Sequence, residues 1–218
     1  MNKNIFPQNA DRIVMVDVDV QNDFCPDGAL GVTEGDRVIA PINALNEYTR
    51  ANDGVVIVTG DQHPPTTPHF DAWGVHCVAG TNGAAFHKDL ALSSTDVIIE
   101  KGTGQTDGFS GFEGVARNGI TIEQLVQPRS PRERVAVILG GLATDYCVKA
   151  TALDAKKQAD RVHAARQGVI DVYVVEDAIR AVNLQPEDGA NAIAEMKAAG
   201  IIITTSTDII NGTVGIEV

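Results

Sequence analysis

The sequence predicts an α/β protein: a three-layer α/β/α sandwich around a mainly parallel sheet of about six strands. Three observations carry that prediction, namely six short β-rich runs, the apolar continuity of those runs, and helix-like segments between most of them. Strands covered on both faces by helices lose the alternation of a half-exposed sheet. Regular strand, helix, strand order closes most simply as a parallel sheet. The length agrees, because 218 residues with 44% hydrophobic side chains bury roughly 70% of the surface exposed by the unfolded chain. Residues 1–218 are therefore expected to form one domain, with 1–11 as a short lead-in.

The first run, 12–20, is followed by a helix-like segment over 33–49 that opens with the capping pattern Thr33-x-x-Asp36. After the second run, 55–59, the stretch 61–92 is rich in Pro, His and Gly and has no period; connections that long in compact domains are functional or disordered. The third and fourth runs are 96–100 and 135–139. The fourth leads through Gly140-Gly141-Leu142-Ala143-Thr144 into an Ala-rich helix over 144–167, for which Thr144 is the expected N-cap. A fifth run at 171–175, a helix over 186–199 stopped by Gly200, and a last run at 201–205 complete the pattern.

Charge narrows the partners. Seventeen basic against 29 acidic side chains leave a net charge of -12, which repels polyphosphate and anionic lipid surfaces. No apolar stretch approaches a membrane span. A small-molecule partner is expected, with no nucleic acid and no membrane; assembly into a homo-oligomer is left open. Three cysteines, Cys25, Cys77 and Cys147, cannot build a disulfide framework and fit a reducing cytoplasm. The N-terminal segment lacks the apolar core of a secretory signal.

Parallel sheets of this kind bind ligands at the carboxyl ends of their strands. Asp19 follows the first run, Asp61 and His63 the second, Lys101 the third, and Cys147 lies just beyond the fourth. A thiol near a helix N-terminus and a cation has its pKa lowered and becomes the nucleophilic thiolate; Lys101 supplies the cation. Asp19 can carry the thiol proton to a leaving amine, and the N–H groups of Ala143 and Cys147 can hold an oxyanion. Asp61-x-His63 with His69 and His76 offers one carboxylate and three imidazoles within sixteen positions. That set suits one divalent ion: zinc, or iron or manganese with added waters. Phe24 and Trp73 flank these groups and could wall a flat aromatic ligand. Singly, each residue also has an ordinary reading as a buried thiol, a solvated lysine, a turn aspartate or a loop histidine. His87 and His163 stand apart from both sets.

Asp19-Val20-Gln21-Asn22-Asp23-Phe24-Cys25, Asp61-Gln62-His63-Pro64, Trp73-Gly74-Val75-His76-Cys77, Lys101-Gly102 with Gly108-Phe109-Ser110-Gly111-Phe112, and Gly141-Leu142-Ala143-Thr144-Asp145-Tyr146-Cys147-Val148 together resemble the nicotinamidase (pyrazinamidase) branch of the isochorismatase-like cysteine hydrolases. The resemblance runs in order from about residue 12 to 210. It implies an Asp19, Lys101, Cys147 triad in which the thiol attacks a carboxamide carbon, ammonia leaves and water hydrolyses the thioester. It further implies a metal held by Asp61, His63 and His76, with His69 a ligand only in some relatives. A cis peptide is implied at Leu142-Ala143. Phe24, Trp73, Tyr146 and Leu142 would contact substrate, and Gln21, Asp23, Ser110 and Asp145 would support the reacting groups.

Four features depart from the family pattern, among them a short stretch between His69 and Trp73 and a long segment over 154–168. Gly74 stands where relatives often have proline, and Asp17 falls where most are apolar; strand alternation turns Asp17 to the same side as Asp19, where it either raises that residue's pKa or hydrogen-bonds a neighbour. Three other readings remain open on the residues alone. They are the same triad acting on another small amide or carbamoyl compound, hydrolysis by metal-bound water with Cys147 structural, and a metal-binding protein without chemistry.

Overall fold

The computed structural model describes residues 9–104 and 106–214; most of the expected lead-in over 1–11 lies outside them. Six parallel strands form one sheet among the described residues: β1 (Arg12–Val18), β2 (Val55–Asp61), β3 (Val97–Lys101), β4 (Arg134–Leu142), β5 (Val169–Arg180) and β6 (Ile202–Thr204), in spatial order β3-β2-β1-β4-β5-β6. The order reverses direction between β1 and β4, and the crevice at such a switch point is where open α/β sheets hold ligands.

Successive side chains of β1 point to opposite faces and show how the sandwich closes. Val14, Val16 and Val18 pack in one buried cluster with Ala152, Ala155, Ala159 and Val162, from the helix after β4. Ile13 and Met15 pack in the other, with Ile42 and Leu45. The elements behind these clusters are α1 (Ile39–Ala51) and α6 (Ser206–Asn211) on one face, and α3 (Ile122–Val126), α4 (Lys149–Ala164) and α5 (Asp188–Ala198) on the other. At about 25 cal/mol per Å² of buried apolar area, these two faces dominate the favourable side of folding.

The structure redraws several expected boundaries. The helix expected over 33–49 starts later, as a short 3₁₀ turn at Gly35–Val38 that runs into α1, and the Thr33 cap is not formed because Glu34 takes the left-handed conformation there (φ 56°). The helix expected from Thr144 begins with a single π turn, Thr144–Val148, before α4, and its N-cap is Ala143. β5 runs five residues beyond the expected 171–175, with a register shift against β4 between Leu139 and Gly141. The aperiodic 61–92 stretch contains the short helix α2 (His69–Trp73).

Candidate active site

Four of the six strand ends deliver a group to the site, and the local chain conformation explains how. Asp19 lies one residue past β1 with φ 50°, a left-handed conformation that Asp tolerates better than most residues. This breaks the strand alternation, so Asp17 and Asp19 do not share a partner. Asp17 accepts from Asn46 Nδ2 of α1 at 2.7 Å, whereas Asp19 Oδ1 accepts from Thr59 Oγ1 at 2.6 Å. Of the two alternatives left open for Asp17, the structure shows the hydrogen bond to a helix neighbour, while Asp19 is raised by its own burial and by Asp61.

Lys101, the last residue of β3, is almost wholly buried among acceptors. Its Nζ lies 2.8 Å from Asp19 Oδ2, 2.6 Å from Asp61 Oδ1, 3.1 Å from the Gly108 carbonyl and 3.5 Å from Cys147 Sγ. The two carboxylates hold its pKa well above the ordinary lysine value. One oxygen each of Asp19 and Asp61 and the sulfur of Cys147 all lie within 4.8 Å of one another. The three groups of the expected triad therefore meet.

Cys147 corrects one expectation. Its thiol is pushed well above, not below, the ordinary cysteine range: burial dominates, Lys101 opposes it, and the nearby Asp19 and Asp61 raise the pKa further. The sequence weighed the helix terminus and the cation but could not weigh two carboxylates inside the same dry pocket. Asp19 is raised as well, by burial first and by Asp61, against the pull of Lys101. Burial and the clustering of negative groups thus work against charging both members of the pair, and Lys101 acts in the opposite sense on each.

The backbone around Cys147 is tightly constrained. Gly141 takes φ 128°, and a Cβ there would lie 2.0 Å from the Val18 carbonyl oxygen, so only glycine lets β4 approach β1 at the crevice. The Leu142-Ala143 peptide is cis, as the resemblance implied. The carbonyl of Ala143 accepts from the N–H groups of Tyr146 and Val148, closing the π turn that carries the thiol.

The three expected histidines converge beside the triad, with one nitrogen from each within 4.8 Å of the others. Every Nδ1 is tied back: His63 to the Gly102 carbonyl at 2.9 Å, His76 to the Gly74 carbonyl at 2.9 Å, and His69 to Asp107 Oδ1 at 2.6 Å. Carbonyl and carboxylate oxygens can only accept, so each Nδ1 carries a proton, and Nε2 is the nitrogen through which the neutral ring presents its lone pair. His63 Nε2 is buried without a hydrogen-bond partner, 3.7 Å from Asp61 Oδ2. Burial and the adjacent imidazoles push His63 down to about 4, keeping it neutral, and His76 is lowered as well. Neutral imidazoles oriented by outer partners, with a carboxylate alongside, fit a divalent metal of the zinc type. A Cβ on Gly102 would lie 2.6 Å from His63 Cε1, so this position too requires glycine.

Above these groups opens a cavity of about 530 Å³. Cys147, Asp61, His69, His76 and Ala143 are its buried floor, and Phe24, Trp73, Phe109 and Tyr146 are its half-buried walls. Trp73 meets Tyr146 edge-on at 4.6 Å between ring centroids. Leu142 does not reach the cavity; its side chain is buried in the cluster that contains Ile42 and Leu45. The expected supporting residues are placed as follows. Gln21 holds both backbone groups of Asp61; Asp23 accepts from the Cys77 N–H beside His76; Ser110 caps the 3₁₀ turn Gly111–Glu113; and Asp145 accepts from the N–H groups of Val182 and Asn183. Thr59, Asp107, Leu30, Val182 and Leu184 were not singled out in the sequence. Only Thr59, at the end of an apolar strand, left a signal there. Gly74, the departure from proline, takes φ 72°, which proline's ring cannot adopt.

The Isochorismatase domain profile matches residues 13–208. The nicotinamidase of Escherichia coli (strain K12) is 34% identical over 212 residues, covering 88% of this chain and 93% of that protein. The crystal structure of the pyrazinamidase of Pyrococcus horikoshii in complex with zinc superposes with a TM-score of 0.73 at 33% identity, covering 89% of this chain and 99% of that one. A structure from L. infantum in complex with nicotinate superposes with a TM-score of 0.71 at 29% identity, covering 90% and 93% of the two chains.

Proposed function

The chain belongs to the isochorismatase family, and from that premise we propose that it is a metal-dependent cysteine amidase that hydrolyses nicotinamide to nicotinate and ammonia. The observation that carries this reading is the contact of one buried ammonium, Lys101 Nζ, with Asp19, Asp61 and Cys147 together. It joins a nucleophile and proton carrier to a metal-type ligand set on the floor of an aromatic-walled cavity.

In this reading Asp19 takes the proton of Cys147 as the sulfur attacks the carboxamide carbon. Burial raises both groups and Lys101 pulls both down, so carboxylate and thiol share one electrostatic environment for the transfer. Lys101 compensates the charge left on the pair. The N–H groups of Ala143 and Cys147 hold the developing oxyanion, Asp19 returns its proton to the departing ammonia, and water then cleaves the thioester with Asp19 as base. Asp61, His63, His76 and His69 would hold one divalent ion, zinc by the character of the donors, which when bound supplies a Lewis-acidic anchor for the pyridine nitrogen. Phe24 and Trp73 sandwich the ring, and Tyr146 backs Trp73.

The same proposal takes residues 1–218 as one domain, with a small amide as the partner. Three free, buried cysteines favour a reducing cytoplasm. Among the described residues no helix is long and apolar enough to cross a membrane. Ammonia release from nicotinamide by the purified protein, run beside Cys147→Ala with metal content measured on both samples, tests the assignment. Turnover by the unsubstituted protein alone supports it, and equal turnover by both sinks it.

A further inference from the structure

The cavity is tiered. Its floor is buried and polar, its walls are half-buried aromatics, and its rim consists of Leu30, Ala72, Val182 and Leu184 with the backbone around Gly31. Leu184 is 62% exposed, and its loop is fixed to the nucleophile's turn by the two N–H donors that Asp145 accepts at 182 and 183. No rim residue carries a charge. A volume of about 530 Å³ falls in the range of pockets for drug-sized ligands, roughly 300–1,000 Å³, whereas nicotinamide has only nine non-hydrogen atoms. The space it leaves lies at the rim.

Ring chemistry decides which position faces that space. With the carboxamide carbon at Cys147 and the ring nitrogen turned to the histidines, both anchors lie on the floor and flank the ring carbon C2. The carbon across the ring from C2 is C5, so C5 points outward. We infer that the rim is an apolar subsite for a short alkyl group on C5, so that the substrate class extends to 5-alkyl pyridine-3-carboxamides, and that Leu184 is its specificity-determining residue. This rests on the nicotinamidase reading above. A carboxylate at C5 would lose water at the rim without meeting a cation there and is excluded.

The test is steady-state kinetics of the metal-loaded protein on nicotinamide, 5-methyl-, 5-propyl- and 5-carboxynicotinamide, together with equilibrium binding of 5-propylnicotinamide to Cys147→Ala. Each methylene at a half-exposed apolar rim is expected to improve kcat/KM by about two- to fourfold, carried by KM, with binding to the Cys147→Ala protein tightening in step. The 5-carboxy compound is expected to fall about a hundredfold below nicotinamide. Leu184→Ala should lower the ratio of kcat/KM for 5-propylnicotinamide to that for nicotinamide by about fivefold, and Leu184→Asp by more. Turnover of nicotinamide with rejection of the propyl compound, or an unchanged ratio in both Leu184 variants, overturns the inference and leaves the amidase reading intact. No turnover of nicotinamide overturns both.

Discussion

Lys101 and Asp61 touch through Nζ and Oδ1 at 2.6 Å, while the other oxygen of the same carboxylate faces His63 Nε2 at 3.7 Å. The nucleophile's counter-charge and the metal-type ligand set therefore share a side chain, and a change on one side is felt on the other.

Lys101→Met leaves Asp19 and Asp61 buried together without their cation. We expect kcat/KM to fall by about a thousandfold or more and unfolding free energy to drop by about 3–5 kcal/mol, read by steady-state assay and urea titration. A variant of normal stability with substantial turnover would remove Lys101 from the chemistry.

Cys147→Ala deletes a small buried side chain beside two carboxylates. Turnover should vanish while metal content and nicotinate binding persist, measured by elemental analysis and calorimetry. Residual turnover within about tenfold of the parent would transfer the nucleophilic role to a metal-bound water.

His63→Ala removes a donor whose Nε2 is buried and unpartnered, and stoichiometric metal should be lost on dialysis. Asp107→Ala only frees Nδ1 of His69; metal affinity should weaken by about 10–100-fold, the usual effect of losing an outer partner. Full metal retention in His63→Ala would displace the ligand assignment.

Asp17 supplies a pH prediction. Burial pushes its carboxyl up to about 7 against the single hydrogen bond from Asn46, whereas the unfolded value is near 3.8. Between these values the folded chain holds a proton that the unfolded chain has released, so stability falls as pH rises from about 4 to 7 and levels off above. Asp17→Asn should flatten that slope and raise the midpoint of urea unfolding at pH 8; an unchanged slope would show that Asp17 is already ionised in the fold.

The sheet was legible because β1 and β4 are nearly unbroken apolar runs, and the triad because strand ends in a parallel sheet converge wherever the order reverses. Three things were not legible. The upward shift of Cys147 depends on two carboxylates brought in from β1 and β2. The place of Leu142 in the opposite core depends on the direction the chain takes at a turn. Asp107 and Leu184 reach the site from loops whose course no local pattern specifies. Residue types and spacing report which groups are available, and the dielectric around them is a property of the closed fold.

β1 lies between β2 and β4 in the sheet, although β3 and the long connection after it intervene along the chain before β4 begins. Asp19 consequently cannot meet Cys147 until a nucleus spanning most of the polypeptide has formed, and such non-local pairing is the slow part of folding. An N-terminal fragment that ends before β4 carries Asp19, Lys101 and the metal-type ligands but lacks the nucleophile and its turn. Recovered enzymatic rate after dilution from denaturant is thus a clock for completion of the central strand pairing, later than any signal from helix formation.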